Sequence, residues 1–400
     1  MENRKYLYLK VIFFVIYFAD ALYYSYTSLF LSSIGFKEGI IGTIASITTI
    51  TYLFANPIWN IFAKNNKRIK YMMMIIALIS GVLIIVYGNV KGIELIMVLT
   101  ALLASVIAPF YTLLDSHAVK FCKVYGKEYS NIRVMGSTAY IFGNAVGGML
   151  VDLLGYSNVF IISGSIFIIS GIMIYFLKPI NSEDKKENKK RDFKVIFRNK
   201  WFWGYSICYL FLVTINVIGD SFVPLLFSKI KNVSTANYGF IAAGIIVTEV
   251  LIMLILAKFF QKTRDIYLYI FAGISYFIRS FLLSFTMLPT GVLIVAACFR
   301  GIAWGTILFI HMKYLIKLVG IENVTSAALV LVTFASLFQF GGSNLFGYLF
   351  ENVGYGFSFR IIGVLSLSAC LIFVVFRLIY EKKISYSYRQ NSWSRKIFRV

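Results

Sequence analysis

Seven charged side chains stand in sequence that is otherwise apolar: Asp20, Asp115, Arg133, Asp220, Glu249, Arg279 and Arg300. A charge surrounded by hydrocarbon is unfavourable by several kcal/mol unless it is paired, neutralised by a proton or turned toward water. Four acids against three arginines is close to balance, which points to pairing. Polar neighbours recur at helical spacing around these charges. On a helix starting near Asn131, Arg133, Ser137, Tyr140 and Asn144 fall at i, i+4, i+7 and i+11, a single face. The same spacing aligns Asp20 with Tyr24 and Thr27, Tyr209 with Asn216 and Asp220, Tyr238 with Glu249, and Arg300 with Trp304 and His311. Carboxylates and guanidinium groups make directional bonds to hydroxyls, and an aromatic face covers the apolar side of a ring. That is the chemistry of holding a polar solute. Bond-breaking signatures are missing: there is no Walker loop, HExxH, Cys–His cluster or nucleophile elbow. Asp115-Ser116-His117 contains the letters of a triad, but adjacent helical residues do not face each other. Cys122, Cys208, Cys298 and Cys370 are isolated and suggest neither a disulfide framework nor a metal site. The expectation is a protein that is not an enzyme and carries no metal or cofactor.

The elements that position these residues are membrane spans. Hydrophobic residues make up 59% of the 400 and charged residues 14%, with a mean hydropathy of +0.80. Soluble domains are less apolar and carry nearly twice that share of charge. A helix crosses a bilayer with about 20 apolar residues. Twelve such runs occur, near 7–31, 39–63, 70–89, 92–115, 131–153, 156–178, 201–227, 236–260, 266–287, 290–314, 324–350 and 355–380. The first is too long for a signal-peptide core and lacks a small-residue cleavage site, so it reads as retained. The net charge of +22 would suit nucleic acid, but its placement argues for a membrane: 31 of 39 Lys and Arg fall in the N-terminus, the even-to-odd loops and the tail. The opposite loops hold Lys37, Lys91, Lys229 and Lys231. This bias predicts a multi-pass protein of the cell membrane with both termini in the cytoplasm and no nucleic-acid partner.

The chain also repeats itself. Gly148-x3-Asp152-x2-Gly155-Tyr156-x3-Phe160 recurs as Gly347-x3-Glu351-x2-Gly354-Tyr355-x3-Phe359, a constant offset of 199 residues. Both copies lie where the fifth span of a half meets the sixth, which predicts a duplicated six-helix unit with the site between the repeats. The expected division is a bundle over 1–180, a charged linker over 181–200, a second bundle over 201–380 and a basic tail over 381–400.

Asp115, then Tyr125-Gly126, then Ile132-Arg133-Val134-Met135-Gly136-Ser137 resemble the helix 4 to helix 5 passage of the major facilitator superfamily. The resemblance is to its lactose permease-like branch of oligosaccharide and nucleoside proton symporters. It implies that Asp115 and Arg133 bind the solute and that Tyr140 stacks on it. The permease has a glutamate and a tryptophan for the acid and the aromatic, so the solute is expected to differ. Tyr17 to Leu31 also resembles the family's first helix, without its usual prolines, and Asp20 has no counterpart in the permease group. Glu249 and Arg279 resemble a helix 8 glutamate and a helix 9 arginine that serve sugar binding and proton coupling. Asp220 and Arg300 resemble a charge pair between helices 7 and 10. Ala303 and Thr306 stand where the permease has a histidine and a glutamate, and His311 lies about 16 Å further along that helix than Arg300. In the loop between helices 2 and 3, Asn60 and Lys64 replace the usual glycine and aspartate, leaving Lys64, Lys67, Arg68 and Lys70.

The resemblance implies an all-α integral membrane protein of twelve helices in two pseudo-symmetric bundles, a monomer working by alternating access. The solute would be held by Asp115, Arg133, Tyr140 and Asn144 from one half and by Glu249 and Trp304 from the other. The proton would ride on Glu249 and leave as Arg279 approaches, with Asp20 as the rival carrier. A sugar or oligosaccharide symporter is the first expectation. A nucleoside or small aromatic-acid importer and a proton-driven drug exporter are the alternatives.

Overall fold

The computed structural model describes residues 2–62, 66–177, 193–261, 263–320 and 322–397. Lys64, residues 178–192 of the charged linker and residues 398–400 lie outside the described residues, as do the side chains of Asn60, Lys67 and 378–397. Twelve helices are long and apolar enough to cross a membrane. The first half holds α1 (Asn3–Ser33), α2 (Glu38–Trp59), α3 (Arg68–Tyr87), α4 (Ile93–Tyr125), α5 (Ser130–Leu154) and α6 (Tyr156–Tyr175). The second holds α7 (Lys200–Asp220), α8 (Thr235–Phe259), α9 (Asp265–Ser284), α10 (Thr290–Val319), α11 (Val324–Asn352) and α12 (Tyr355–Arg377). A helix satisfies its own backbone bonds, which is what a solvent without hydrogen bonds demands of a spanning segment.

Local chemistry sets where these helices break. Pro109 lacks an N–H, and α4 is interrupted there between Ile107 and Phe110. The helix of α1 is likewise interrupted between Tyr24 and Thr27. In α7 one π-helical turn, Leu210–Thr214, precedes Asn216 and Asp220, and a helical continuation beyond Asp220 ends in a second, Leu226–Ile230. Such a turn rotates everything after it relative to a regular helix, and π-bulges cluster at functional sites. Gly155 and Gly354 have φ of +80° and +100°, which lets α5 and α11 reverse straight into α6 and α12.

Within the first half α3 packs on α6 and α1 on α5 and α6; within the second α10 packs on α8 and α9, and α9 on α12. The halves meet mainly through two helix pairs, α2 with α11 and α5 with α8. These meetings are concentrated at the end of the molecule away from the termini. There the hydrogen bonds seen between the halves gather, and the core of the first half runs on into the second through Ile218, Phe222, Phe350 and Phe359. At the end bearing the termini the second half has a separate core around Tyr205, Tyr269 and Phe373. Phe54 and Ile58 of α2, Val134 of α5, Leu254 of α8 and Val332 of α11 are all exposed toward that end. The crevice between the halves is therefore closed at the far end and open at the end of the termini.

Three sequence-based expectations change. Helix α4 runs on to Tyr125, because the amphipathic stretch after Asp115 stays helical past the apolar run; Asp115 thus lies inside a helix and not at its end. The linker is not wholly irregular. Phe193–Arg198 is helical, and Asn199 Oδ1 caps α7 by accepting from Trp201 N at 2.9 Å and Phe202 N at 3.2 Å. The backbone expected to be a tail continues as helix to Ile397.

Candidate functional site

In the second half the charges form one chain of alternating sign. Arg279 of α9 donates from Nη2 to Asp220 Oδ1; Asp220 Oδ2 accepts from Arg300 Nε at 3.1 Å; Arg300 Nη1 donates to Glu249 Oε2 at 2.9 Å. Helices α7, α8, α9 and α10 are thereby tied together by groups whose charges sum to zero. The chain is graded in exposure. Arg279 is 2% exposed, whereas Asp220, Arg300 and Glu249 keep 28%, 25% and 19% of their side chains accessible. Arg279 is further held by Asn216 Oδ1 at 3.4 Å, and Asn216 itself is fixed by Ser366 Oγ at 2.7 Å and Ser280 Oγ at 3.2 Å. The guanidinium of Arg300 also lies over the Trp304 ring, 5.7 Å from its centroid.

The first half is built differently. Asp20 of α1 accepts from Tyr140 Oη of α5 at 2.9 Å, and the Tyr111 hydroxyl of α4 stands close by without a well-aligned hydrogen bond. No ion pair reaches Asp20 among the described residues. Asp115 accepts from Tyr129 Oη at 2.8 Å. The exposed Arg133 places its guanidinium over Tyr17, 4.9 Å from the centroid, and Tyr17 in turn packs on Tyr111 and edge-on against Tyr140. Tyr24, 64% exposed, stands between Asp20 on one side and the Asp220–Arg300 pair on the other. It projects from the last turn before the break in α1.

Several expected roles are corrected. Asp115 and Arg133 are not joined to each other; each is engaged by tyrosines, although both lie near Tyr17 and Tyr129. Asn144 does not face the crevice. It is 1% exposed, its Nδ2 donates to Tyr140 O one turn back at 2.7 Å, and its backbone carbonyl accepts from the Tyr26 hydroxyl. The face shared by Arg133, Ser137, Tyr140 and Asn144 thus turns from open crevice at one end into a packed helix contact at the other. Glu249 is paired with Arg300 and not poised for Arg279, which is committed to Asp220. His117 is buried, and His311 Nδ1 pairs with the Tyr205 hydroxyl at 2.8 Å. Spacing placed Tyr24 and Tyr140 with these charges, but not Tyr17, Tyr111 and Tyr129, which the structure brings to them. The density of tyrosine in α1, at 17, 23, 24 and 26, was the available signal for Tyr17. A separate pocket of about 480 Å³ beside α2, lined by Ile50, Phe54, Ile58 and Trp59, is apolar and apart from these groups.

Twelve apolar helices in two like halves, with a charged crevice between them that is shut at one end, define a multi-pass membrane transporter. The chain belongs to the Major Facilitator Superfamily, whose family model matches residues 10–343. It is 21% identical over 334 residues to the uncharacterized transporter YwbF of Bacillus subtilis, covering 82% of each chain. It is 25% identical over 149 residues to the maltose permease of Geobacillus stearothermophilus, a match spanning 37% of this chain and 38% of that one. A match to the sucrose permease of Escherichia coli, 26% over 162 residues, covers 38% of each. In fold it resembles the nucleoside transporter NupG, with a TM-score of 0.79 at 16% identity over 92% of this chain and 98% of that one.

Proposed function

We propose that this transporter is a proton-coupled symporter of a small polyhydroxylated solute, a sugar or oligosaccharide, with both termini in the cytoplasm. The orientation rests on the placement of Lys and Arg, and it makes the open end of the crevice cytoplasmic. The observation that carries the reading is the contrast between the two sides of the crevice. One side offers a fixed, neutral, partly accessible acid–arginine chain with Trp304 beside it; the other offers Asp115, Arg133 and Asp20 set among tyrosine rings. Such a pair of walls suits a ligand with many hydroxyls and an apolar ring face. The matched stretches of maltose and sucrose permeases agree with a sugar. A nucleoside, which adds an aromatic base to a sugar, is the second reading, favoured by the exposed face of Tyr24.

The geometry supports Asp20 over Glu249 as the carrier of the proton. A carboxylate locked to an arginine gains little by taking a proton, whereas one held by a tyrosine hydroxyl and lacking a cation can alternate between charged and neutral forms. In this mechanism Asp20 is protonated while the crevice faces outward, the solute closes the walls on Tyr24 and Trp304, and the proton leaves to the cytoplasm after the halves rock. Uptake into proteoliposomes of a panel of labelled sugars, nucleosides and aromatic acids under an imposed proton gradient tests the solute. Asp20→Asn tests the coupling: it should exchange solute between equal concentrations yet fail to accumulate it. Accumulation by Asp20→Asn, together with an exchange-only Glu249→Gln, would return the proton to Glu249.

A further inference from the structure

Lys70, near the start of α3, is a buried cation without a counter-ion. It is 8% exposed, and its ammonium lies over the rings of Tyr71 and Tyr175, 5.5 and 5.2 Å from their centroids. No carboxylate or other acceptor reaches it among the described residues. Other lysines at the end of the termini also rest on rings, Lys5 on Tyr125 and Lys10 on Tyr6, but both keep more exposure to water. Two further features make the surroundings of Lys70 positive. The helix that carries it begins at Asn66, so Lys70 stands near the positive end of a helix dipole, with no acid in the first turn. His117 of α4, 3% exposed, lies within electrostatic reach of Lys70 and Lys120, and its Nε2 is buried without a hydrogen-bond partner. A buried charge and a buried polar nitrogen are each unfavourable while unpaired. Both call for an anionic acceptor from outside the described chain.

We propose that Lys70 and His117 hold the phosphate of an anionic phospholipid, in the leaflet on the side of the termini. Phosphate oxygens can accept from the ammonium and from an imidazole N–H at once. The surface that leads away from the site favours a lipid over a free anion. Helices α3 and α6 pack on each other, away from the helix pairs that join the halves. Tyr71, Ile75 and Ile79 of α3 and Ile169, Ile172 and Tyr175 of α6 are all exposed. This apolar stripe starts at the rings around Lys70 and runs toward mid-membrane, as acyl chains do, and tyrosines at its head mark the level of the headgroups. The site lies on the outer face of the first half, apart from the crevice, and it rests on no choice of solute or orientation.

The test offers the full-length chain, purified in detergent, equal amounts of phosphatidylglycerol and phosphatidylcholine with the same acyl chains. Native mass spectrometry reads the lipid retained. The parent should retain one phosphatidylglycerol in preference to phosphatidylcholine. Lys70→Met should lower the affinity for phosphatidylglycerol about fivefold, the effect of one lysine at an anionic leaflet, and Lys70→Arg should keep it. His117→Leu should lower it as well, by removing the second donor. Lys123→Met takes the same charge from an exposed position at the same end and should change it less than twofold. An equal loss in Lys123→Met, or a parent that retains both lipids alike, would overturn the site. Protection from a heat challenge by inorganic phosphate, with no phosphatidylglycerol retained, would make it a soluble-anion site and overturn the lipid. A preference that emerges only after Glu183→Gln, Asp184→Asn and Glu187→Gln would mean that the linker's own acids fill the site, and it too would overturn the proposal. If Lys70→Met fails to fold, His117→Leu measured against Lys123→Met decides by the same criterion.

Discussion

Asp220→Asn removes the acid that Arg279 and Arg300 share while keeping the size of the side chain. Arg300 then still has Glu249 at 2.9 Å and is 25% exposed, so water supports it. Arg279 is left 2% exposed with no counter-charge, its acceptors reduced to neutral amide oxygens: Asn216 Oδ1 at 3.4 Å and that of the substituted side chain. Breaking a buried pair from one side costs about 3–5 kcal/mol. Water reaches the 28% exposed Asp220, which places the loss at the lower end. About 3 kcal/mol is roughly a hundredfold in the ratio of folded to unfolded protein. The second substitution shows where that loss resides. Arg279→Gln added to Asp220→Asn removes the orphaned cation and should recover most of the stability. Arg300→Gln added instead leaves Arg279 orphaned and strands Glu249 too, so it should be worse than Asp220→Asn alone. The fraction of monodisperse protein surviving a heat challenge, read by size-exclusion chromatography, ranks the variants. An Asp220→Asn protein as heat-stable as the parent, or a better rescue by Arg300→Gln than by Arg279→Gln, would refute the assignment of Arg279 as the buried, dependent member.

Asp115→Ala and Arg133→Ala should each abolish binding of the transported solute while leaving an inserted protein; because Arg133 is exposed, its loss should change stability by no more than about 0.5 kcal/mol. Equilibrium binding beside the heat challenge separates the two effects, and normal binding by both variants would make the residues structural. Asn144→Ala should leave solute affinity within about twofold of the parent, since its amide bonds its own helix; a tenfold loss would put Asn144 back at the site. A cysteine introduced within 181–192 should resist an impermeant reagent added outside intact cells, and its labelling would overturn the proposed orientation.

How far the sequence could be read depended on what each feature depends on. Spans were legible because a bilayer imposes a length and a composition on every crossing helix, and α1 to α12 occur where the apolar runs lie. The repeat was legible because like halves must turn alike: Gly155 and Gly354 both need a positive φ after a fifth helix. Pairing was much less so. Spacing along a helix places Glu249 and Arg279 on faces, but which arginine a carboxylate meets depends on the rotation of four helices about their axes. The π-helical turn in α7, which resets the rotation of Asn216 and Asp220, leaves no mark in hydrophobic periodicity. The extension of α4 past Asp115 was hidden for a related reason. Beyond the apolar run the helix is held by its neighbours and not by lipid, and Phe121 and Cys122 bury one face of it.

On the proposed function, the two sides of the crevice divide the work between stiffness and titration. The alternating chain from Arg279 to Glu249 sums to no net charge, and Asp220 is the one acid in it that two arginines share. It ties α7, α8, α9 and α10 together through side-chain pairs. Asp20 is the opposite case: a hydroxyl partner can turn from donor to acceptor when the carboxyl gains its proton, so both forms keep a hydrogen bond. Tyr140, which supplies that hydroxyl, sits on α5, apart from the acid–arginine chain of the second half. On the proposed reading, Tyr140→Phe should therefore weaken accumulation of the solute under a proton gradient while leaving heat stability near that of the parent, and accumulation at the parent level would refute the role given to Asp20.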